Sequence, residues 1–243
     1  MEWRETGVLL TVRPHGEAAA IIDVMTESHG RHAGIVRGGA SRKLRPVLQP
    51  GAELDLTWRA RLEEHLGAFT VEPVAARTNV LGDRAALAAL GSATALAAFA
   101  LPERSAYPAL FRRTRDLFDR LDSGGDWPPW YIGWELELLS TLGFGPDLSA
   151  CAVSGATEGL AYVSPRSGRA VTEQAADQWA DRLLRLPPFL RHEDSDAPIT
   201  AGDVADGLRL TGYFLTERMC PALGRESLPP ARERAVRILS QLG

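Results

Sequence analysis

The period of the hydrophobic pattern changes once, near residue 80, and that change limits what the chain can fold into. Before it, apolar residues alternate with polar ones over short runs; after it they recur at helical spacing. Residues 6–13 are rich in Val, Leu and Thr, and Pro14-His15-Gly16-Glu17 then reads as a turn. Residues 18–26 and 31–37 form the arms of a hairpin around Glu27-Ser28-His29-Gly30. In residues 52–60, Leu54, Leu56 and Trp58 alternate with Glu53, Asp55 and Thr57, as in a half-buried strand, and residues 66–74 supply a fifth strand. Five short strands in about 70 residues leave too many open edges unless the sheet closes, so a small barrel is expected. Among five-stranded barrels, the oligonucleotide-binding (OB) fold is the first expectation.

Beyond residue 80 the pattern predicts helices. Asp83 can cap a helix burying Leu87, Leu90, Thr94 and Ala97. Residues 108–121 carry the clearest stripe, Leu110, Phe111, Thr114, Leu117, Phe118 and Leu121, with Arg112, Arg113 and Arg115 off it. A third helix covers residues 130–142 and stops at Gly143. Residues 144–171, with four glycines and two prolines, read as an inserted irregular loop or small hairpin. Thr172 should begin a helix that buries Trp179, Leu183 and Leu186 and stops at Pro187-Pro188. Residues 192–198 look like a mobile acidic segment. Thr200 and Asp203 form a capping-box start for a helix carrying Leu208, Thr211, Leu215 and Met219 and ending before Pro221. Pro229-Pro230 opens the last helix, with Val236, Leu239 and Leu242 inward. The expected fold is α+β and multi-domain: a five-stranded OB-fold barrel over residues 1–79, then an all-α region over 80–243 interrupted by the loop 144–171.

The most unusual local chemistry lies in residues 31–51, RHAGIVRGGASRKLRPVLQPG. Arg31, Arg37, Arg42, Lys43 and Arg45 are basic there, and no acid occurs between Glu27 and Glu53. The chain as a whole has net charge −4, so any anion-binding face must be local. Lys43 is the only lysine among 27 basic residues, so arginine abundance alone carries no functional weight; position must. A glycine-hinged basic loop beside Arg59 and Arg61 is a candidate for holding a phosphate backbone. Trp58 and Phe69 are candidates for base stacking, although Trp58 shares a face with Leu54 and Leu56 and so reads first as core. The candidate DNA-binding set is Arg31, Arg37, Arg42, Lys43, Arg45, Arg59 and Arg61.

Other chemistries find little support. Only Cys151 and Cys220 are present, which argues against a disulfide framework and fits a reduced, cytoplasmic protein. Ser154 stands where a CxxC partner of Cys151 would be, so no metal is expected; His29 and His32 with Glu17 make poor hairpin ligands. Glu135 and Glu137 fall on different helix faces. No phosphate-cradling GxxxxGK[ST], GxSxG or HExxH motif occurs, so neither an enzyme nor a cofactor is expected. The longest apolar run, residues 85–101, is Ala-rich and interrupted by Gly91, Ser92 and Thr94, a buried helix and no membrane span.

The segments WRETGVLL, RPHGE, HGRHAGIVRGG, LQPG and EEHLGAF, followed by WELELLSTLGFGPDLSACAVSG, AYVSPRSGRA and PPFL, resemble in content and order the bacterial DNA repair and recombination protein RecO family. The resemblance covers nearly the whole chain. It implies a non-enzymatic mediator of the RecF pathway, acting in recombination after DNA damage, that binds single- and double-stranded DNA and anneals complementary single strands. It further implies work with RecR and RecF to load RecA onto DNA coated by single-strand-binding protein, contact with that protein's acidic C-terminal tail, and a cytoplasmic, nucleoid-associated location. Many members carry a four-cysteine zinc loop after the LGF segment; this chain keeps only Cys151, with Ser154 second and SPRSGRA in place of the other pair. The loop is degenerate in that sense, and the zinc is not carried over. Packing and hydrogen bonds, with Tyr162 and Asp147 as candidates, must hold it instead. The alternative is a protein-binding adaptor that grips acidic peptide tails without major DNA contact.

Overall fold

Strand β1 (Glu2–His15) is long enough to pair on both sides, and the rest of the sheet is arranged around it. Its first half runs antiparallel to β4 (Glu53–Arg59) and its second half to β2 (Ala19–Thr26), with a bulge between Leu9 and Thr11 where it bends from one partner to the other. Strand β2 continues into β3 (Gly30–Val36), and β4 pairs with β5 (Ala68–Ala75). A parallel contact, Ile35 with Ala68 and Val36 with Phe69, closes the barrel in the order β1-β2-β3-β5-β4. An odd number of strands cannot close with every neighbour antiparallel, so one parallel seam is a geometric necessity. The structure, a computed structural model, describes residues 1–62, 64–191 and 198–241. The expectations for the acidic segment after Arg191 and for Leu242 lie outside the described residues.

The alternation in β4 sets the barrel core. Leu54, Leu56 and Trp58 are buried together with Leu9, Ile22, Val24 and Phe69, while Asp55 and Thr57 face outward. Each fully buried aliphatic of this kind contributes about 1.5–3 kcal/mol. Two glycines permit close approaches that no other residue could make. Gly30, at φ +65° in the β2–β3 turn, has the Ser105 carbonyl oxygen 2.0 Å from where a Cβ would stand. Gly67, at φ +66°, lies against the Trp58 indole, whose Nε1–H donates to the Leu66 carbonyl at 3.1 Å.

Helix α1 (Arg84–Ala100) starts at Asp83, whose carboxylate accepts from the amides of Ala85 and Ala86. Ala86, Ala89, Ala93 and Ala97 are fully buried, so small residues set its packing distance. Leu87, expected inward, is 41% exposed; the buried face is centred on the alanines instead. Helix α2 (Pro108–Ser123) buries the stripe read from the sequence without exception, begins with Pro108 and ends before Gly124.

Strands give way to helices near residue 80, but compactness divides the chain elsewhere. One unit comprises Met1–Gly125 with Pro229–Ala235, and the other Asp126–Leu228 with Val236–Gly243. The first unit reaches past the barrel because buried charges tie α2 to it. Arg77, 3% exposed at its side chain, donates to the Gly51 carbonyl at 2.7 Å and pairs with Glu53 at 3.1 Å and Asp119 at 2.8 Å. Glu53 also pairs with Arg115 of α2 at 2.8 Å.

In the second unit, α3 (Pro128–Thr141) packs against a later helix through a buried polar contact. Glu135 accepts from the Tyr131 hydroxyl at 2.8 Å and the Thr211 hydroxyl at 2.5 Å. The loop after α3 contains a hairpin, β6 (Leu160–Val163) with β7 (Ala170–Thr172), joined on its other edge by β8 (Leu184–Arg185). Thr172 caps only a single turn, α4 (Glu173–Ala176), because Asp177 takes a φ of +37° and a 3-10 stretch follows. Trp179, expected inward, is 51% exposed with Arg182 over its ring, whereas Leu186 is buried as expected. The helix expected there loses to the sheet, which captures Leu184 and Arg185 opposite Val163 and Tyr162.

The capping box forms as read: the Thr200 hydroxyl accepts from the Asp203 amide, and the Asp203 carboxylate accepts from the Thr200 amide. Helix α5 (Ala201–Phe214) does not stop before Pro221. It passes through a π-helical stretch, Leu215–Met219, into α6 (Cys220–Ala222). The wider hydrogen-bond ring shifts the register and lets a proline follow without ending the helix. Helix α7 (Pro230–Leu239) is the last helix among the described residues, with Leu239 buried and Val236 half-buried.

Candidate nucleic-acid interface

Residues 37–50 form an ordered basic loop. Leu48 is buried against the barrel core, with Leu44 and Val47 packed beside it. Helical turns hold this segment: the Arg45 amide donates to Ser41 and the Leu48 amide to Leu44, both at 2.9 Å. Fixing Leu44 and Leu48 inward leaves Arg42, Lys43 and Arg45 exposed on the outer side.

Beside this loop lies a groove of about 550 Å³, lined by Arg37, Arg59 and Arg61 with Leu44, Phe69 and Val71 on its apolar surface. Arg37 follows β3, while Arg59 ends β4 and Arg61 follows it; residues far apart in sequence meet because β5 lies between those strands in the closed order. Among the described residues, Arg37, Arg42, Lys43, Arg45 and Arg61 form no ion pair. Arg59 pairs with Glu2 at 2.7 Å, but both side chains are more than half exposed. Such a surface pair is worth about 0–1 kcal/mol and is readily exchanged for a phosphate. The result is a cationic, partly apolar groove suited to a polyanion with hydrophobic substituents.

Arg31 does not belong with this group. Its guanidinium donates to the Leu101 carbonyl at 2.8 Å and pairs with Asp23 at 2.9 Å and Glu103 at 3.4 Å, leaving 16% of the side chain exposed. Its charge is compensated, and its contacts join β3 to the segment before α2. Trp58 and Phe69 are 1% and 4% exposed, so neither offers a free face for stacking; both are core. Off the α2 stripe, Arg115 pairs with the buried Glu53 and is structural as well, while Arg112 pairs with Glu27 at the surface.

Sequence reasoning missed an aromatic cluster at the end of the barrel bearing Trp3. The Trp3 indole stacks on His29 with centroids 4.2 Å apart and approaches Trp58 at 5.9 Å. His29 pairs with Glu5 at 2.7 Å, not with Glu17. His32 is 4% exposed and edge-on to Trp58, with both ring nitrogens buried and unpartnered. Burial first, then the charges of Arg104 and His29, pushes its pKa from 6.5 down to about 4. The His29/His32 pair could have flagged this place, but periodicity gives no reason to bring Trp3 and Arg104 to it.

The residues after α3 do not fit the zinc that the family resemblance would imply. Cys151 is the sole thiol there, and no group of three or more His, Cys, Asp or Glu is placed to hold a metal among the described residues. Its sulfur instead accepts from the amides of Ser154 at 3.5 Å and Thr172 at 3.4 Å. Burial opposes the thiolate, but these contacts outweigh it and bring the Cys151 pKa down to about 6. Asp147 completes the arrangement: its carboxylate accepts from the Ser149 amide and pairs with Arg169, and its backbone exchanges hydrogen bonds with Gly168 and Ala170. Tyr162 is buried, with Arg185 over its ring.

Two family models match this chain. That of the Recombination protein O N-terminal region covers residues 1–77, and that of its C-terminal region covers residues 81–225. Among curated relatives, the DNA repair protein RecO of Dinoroseobacter shibae is 56% identical over 242 residues, spanning 99% of both chains. That of Ruegeria sp. (strain TM1040) is 54% identical over 242 residues, again 99% of both. That of Jannaschia sp. (strain CCS1) is 51% identical, over 99% of this chain and 97% of the relative.

Proposed function

The chain belongs to the RecO family of DNA repair proteins, and from that premise we propose that it is a non-enzymatic DNA-binding mediator of recombination. It takes single- and double-stranded DNA on the N-terminal barrel, anneals complementary strands, and helps RecA load onto DNA coated by single-strand-binding protein. RecR and the acidic C-terminal tail of single-strand-binding protein are its proposed protein partners. Binding DNA would place it at the nucleoid; no helix among the described residues is long and apolar enough to cross a membrane. The strand order β1-β2-β3-β5-β4 supports reading the barrel as an oligonucleotide-binding fold.

The observation that carries this reading is the convergence of Arg37, Arg59 and Arg61 on one groove, beside the exposed Arg42, Lys43 and Arg45. If about four of these groups meet single-strand phosphates, log affinity falls with log salt at a slope of roughly −3, about 60-fold from 50 to 200 mM. Replacing Arg37, Arg42, Lys43 and Arg45 by Ala should flatten that slope, measured by fluorescence anisotropy on a labelled oligonucleotide. An unchanged affinity in a folded variant refutes the site.

The second reading, a peptide-gripping adaptor, is favoured by one feature of the same unit. A cleft of about 600 Å³ has Leu81, 69% exposed, and Leu87 along it, with Arg234 at its edge. The two readings separate in that experiment: an adaptor keeps its affinity for an acidic peptide and shows no salt-dependent binding of oligonucleotide at all.

A further inference from the structure

A second cavity, of about 350 Å³, lies at the end of the barrel that carries the aromatic cluster. Glu2, Trp3, His29, His32, Trp58 and Arg104 line it. Its size falls in the range of clefts that take small planar molecules, about 300–1,000 Å³. The chemistry of its wall is unusual. His32 is almost wholly buried, and neither ring nitrogen has a hydrogen-bond partner. A neutral imidazole presents one N–H donor and one acceptor nitrogen. If packing were its only purpose, an apolar ring would fill the place between Trp3 and Trp58 without leaving two polar atoms unpaired.

The surroundings narrow the ligand class. His32 meets Trp58 at 4.7 Å and Trp3 at 5.3 Å, both edge-to-face, so the wall of the cavity is built of aromatic rings. Arg104 supplies the cation. It is one of two non-glycine residues with positive φ among the described residues, at +60°, held by its amide bond to the Arg31 carbonyl at 2.7 Å and by its guanidinium on the His65 carbonyl at 2.9 Å. A strained backbone held in place by two such contacts is common at binding sites. Glu2, on the cavity wall, pairs with Arg59, which lines the arginine groove, so one ion pair has a member in each recess.

We propose that this cavity receives one unstacked base of a single strand whose phosphates lie in the arginine groove. Resting on the DNA-binding reading above, this adds where a base goes. His32 offers one of its unpartnered ring nitrogens to the hydrogen-bonding edge of the base, Trp3 forms the wall beside it, and Arg104 faces the neighbouring phosphate. The strand is held at two kinds of contact, phosphates in the groove and a base in the cavity.

The test compares a labelled thymidine oligonucleotide with an abasic strand of the same length, by anisotropy at fixed salt. The wild-type protein should bind the base-bearing strand more tightly. His32→Phe keeps the aromatic volume and removes both nitrogens; it should weaken binding of the base-bearing strand by about fivefold and leave the abasic strand unchanged. Arg37→Ala should weaken both strands alike. Equal losses on both strands from His32→Phe, or equal wild-type affinities for them, overturn the base pocket while leaving DNA binding intact. Binding of neither strand overturns both proposals. Should His32→Phe fail to fold, the imidazole ¹⁵N resonances of the wild-type protein decide: His32 signals that shift on adding the thymidine strand support the pocket, and unmoved signals at saturation overturn it.

Discussion

Removing Arg77 should destabilise the first unit severely, and the structure sets the scale. Its guanidinium is 3% exposed and meets Glu53, itself 6% exposed at the side chain, at 3.1 Å. Two charges about 4 Å apart attract with about 4 kcal/mol at an effective dielectric of 20. Breaking a buried pair by deleting one partner costs about 3–5 kcal/mol, since the survivor remains buried. Here Arg115 still reaches Glu53 at 2.8 Å, which favours the lower end; the Gly51 carbonyl loses its 2.7 Å donor, which adds to the cost. Asp119 contributes little, because 61% of its side chain is exposed. Arg77→Ala should therefore cost about 3 kcal/mol, a fall in Tm of roughly 6–12 °C by differential scanning calorimetry for a chain of this size. The double variant Arg77→Met with Glu53→Met should return to within about 1 kcal/mol of the wild type, because both buried charges leave together. DNA affinity measured well below the melting temperature should not change, since neither residue lines the arginine groove. A cost below about 1 kcal/mol for Arg77→Ala, or a double variant no better than the single one, refutes the reasoning.

Four further outcomes are expected. Thr200→Ala removes one half of the capping box and should cost about 1 kcal/mol in urea unfolding of the second unit, with Asp203→Ala similar. Gly67→Ala forces a side chain to φ +66° with its Cβ 2.4 Å from Trp58 Nε1; a loss of more than about 1–2 kcal/mol is expected, with a changed tryptophan emission spectrum. Because His32 is held near 4, below its ordinary 6.5, its stabilising contribution is complete above pH 6.5 and is lost as pH falls toward 4. The slope is at most about 1.4 kcal/mol per pH unit, and His32→Phe should make that acid limb shallower in urea midpoints measured from pH 7 to 4. Elemental analysis of the purified protein should find no stoichiometric zinc, since Cys151 is the only thiol in its loop and its sulfur is occupied by two backbone amides.

Local pattern settled much of the architecture. The alternation of Leu54, Leu56 and Trp58, the six-residue stripe of α2, the Asp83 cap and the Thr200–Asp203 box depend on neighbours a few residues away, so they are legible in one dimension. The order of the motifs was enough to reach the family. Where the structure departs from those expectations, a distant partner decides the outcome. Trp179 is exposed because Leu184 and Arg185 are drawn into a sheet with residues about twenty positions earlier. Pro221 remains helical because a π-helical stretch precedes it. Charge shows the same division most clearly. Arg31 and Arg37 stand six residues apart, one near the start of β3 and the other just after its end, equal as sequence. Arg31 meets Asp23 and Glu103, while Arg37 lines one groove with Arg59 and Arg61 across β5 and forms no ion pair among the described residues. Sequence determines which side chains carry charge; only closure of the barrel determines whether a charge is neutralised, because the compensating carboxylate is brought up by another strand or helix.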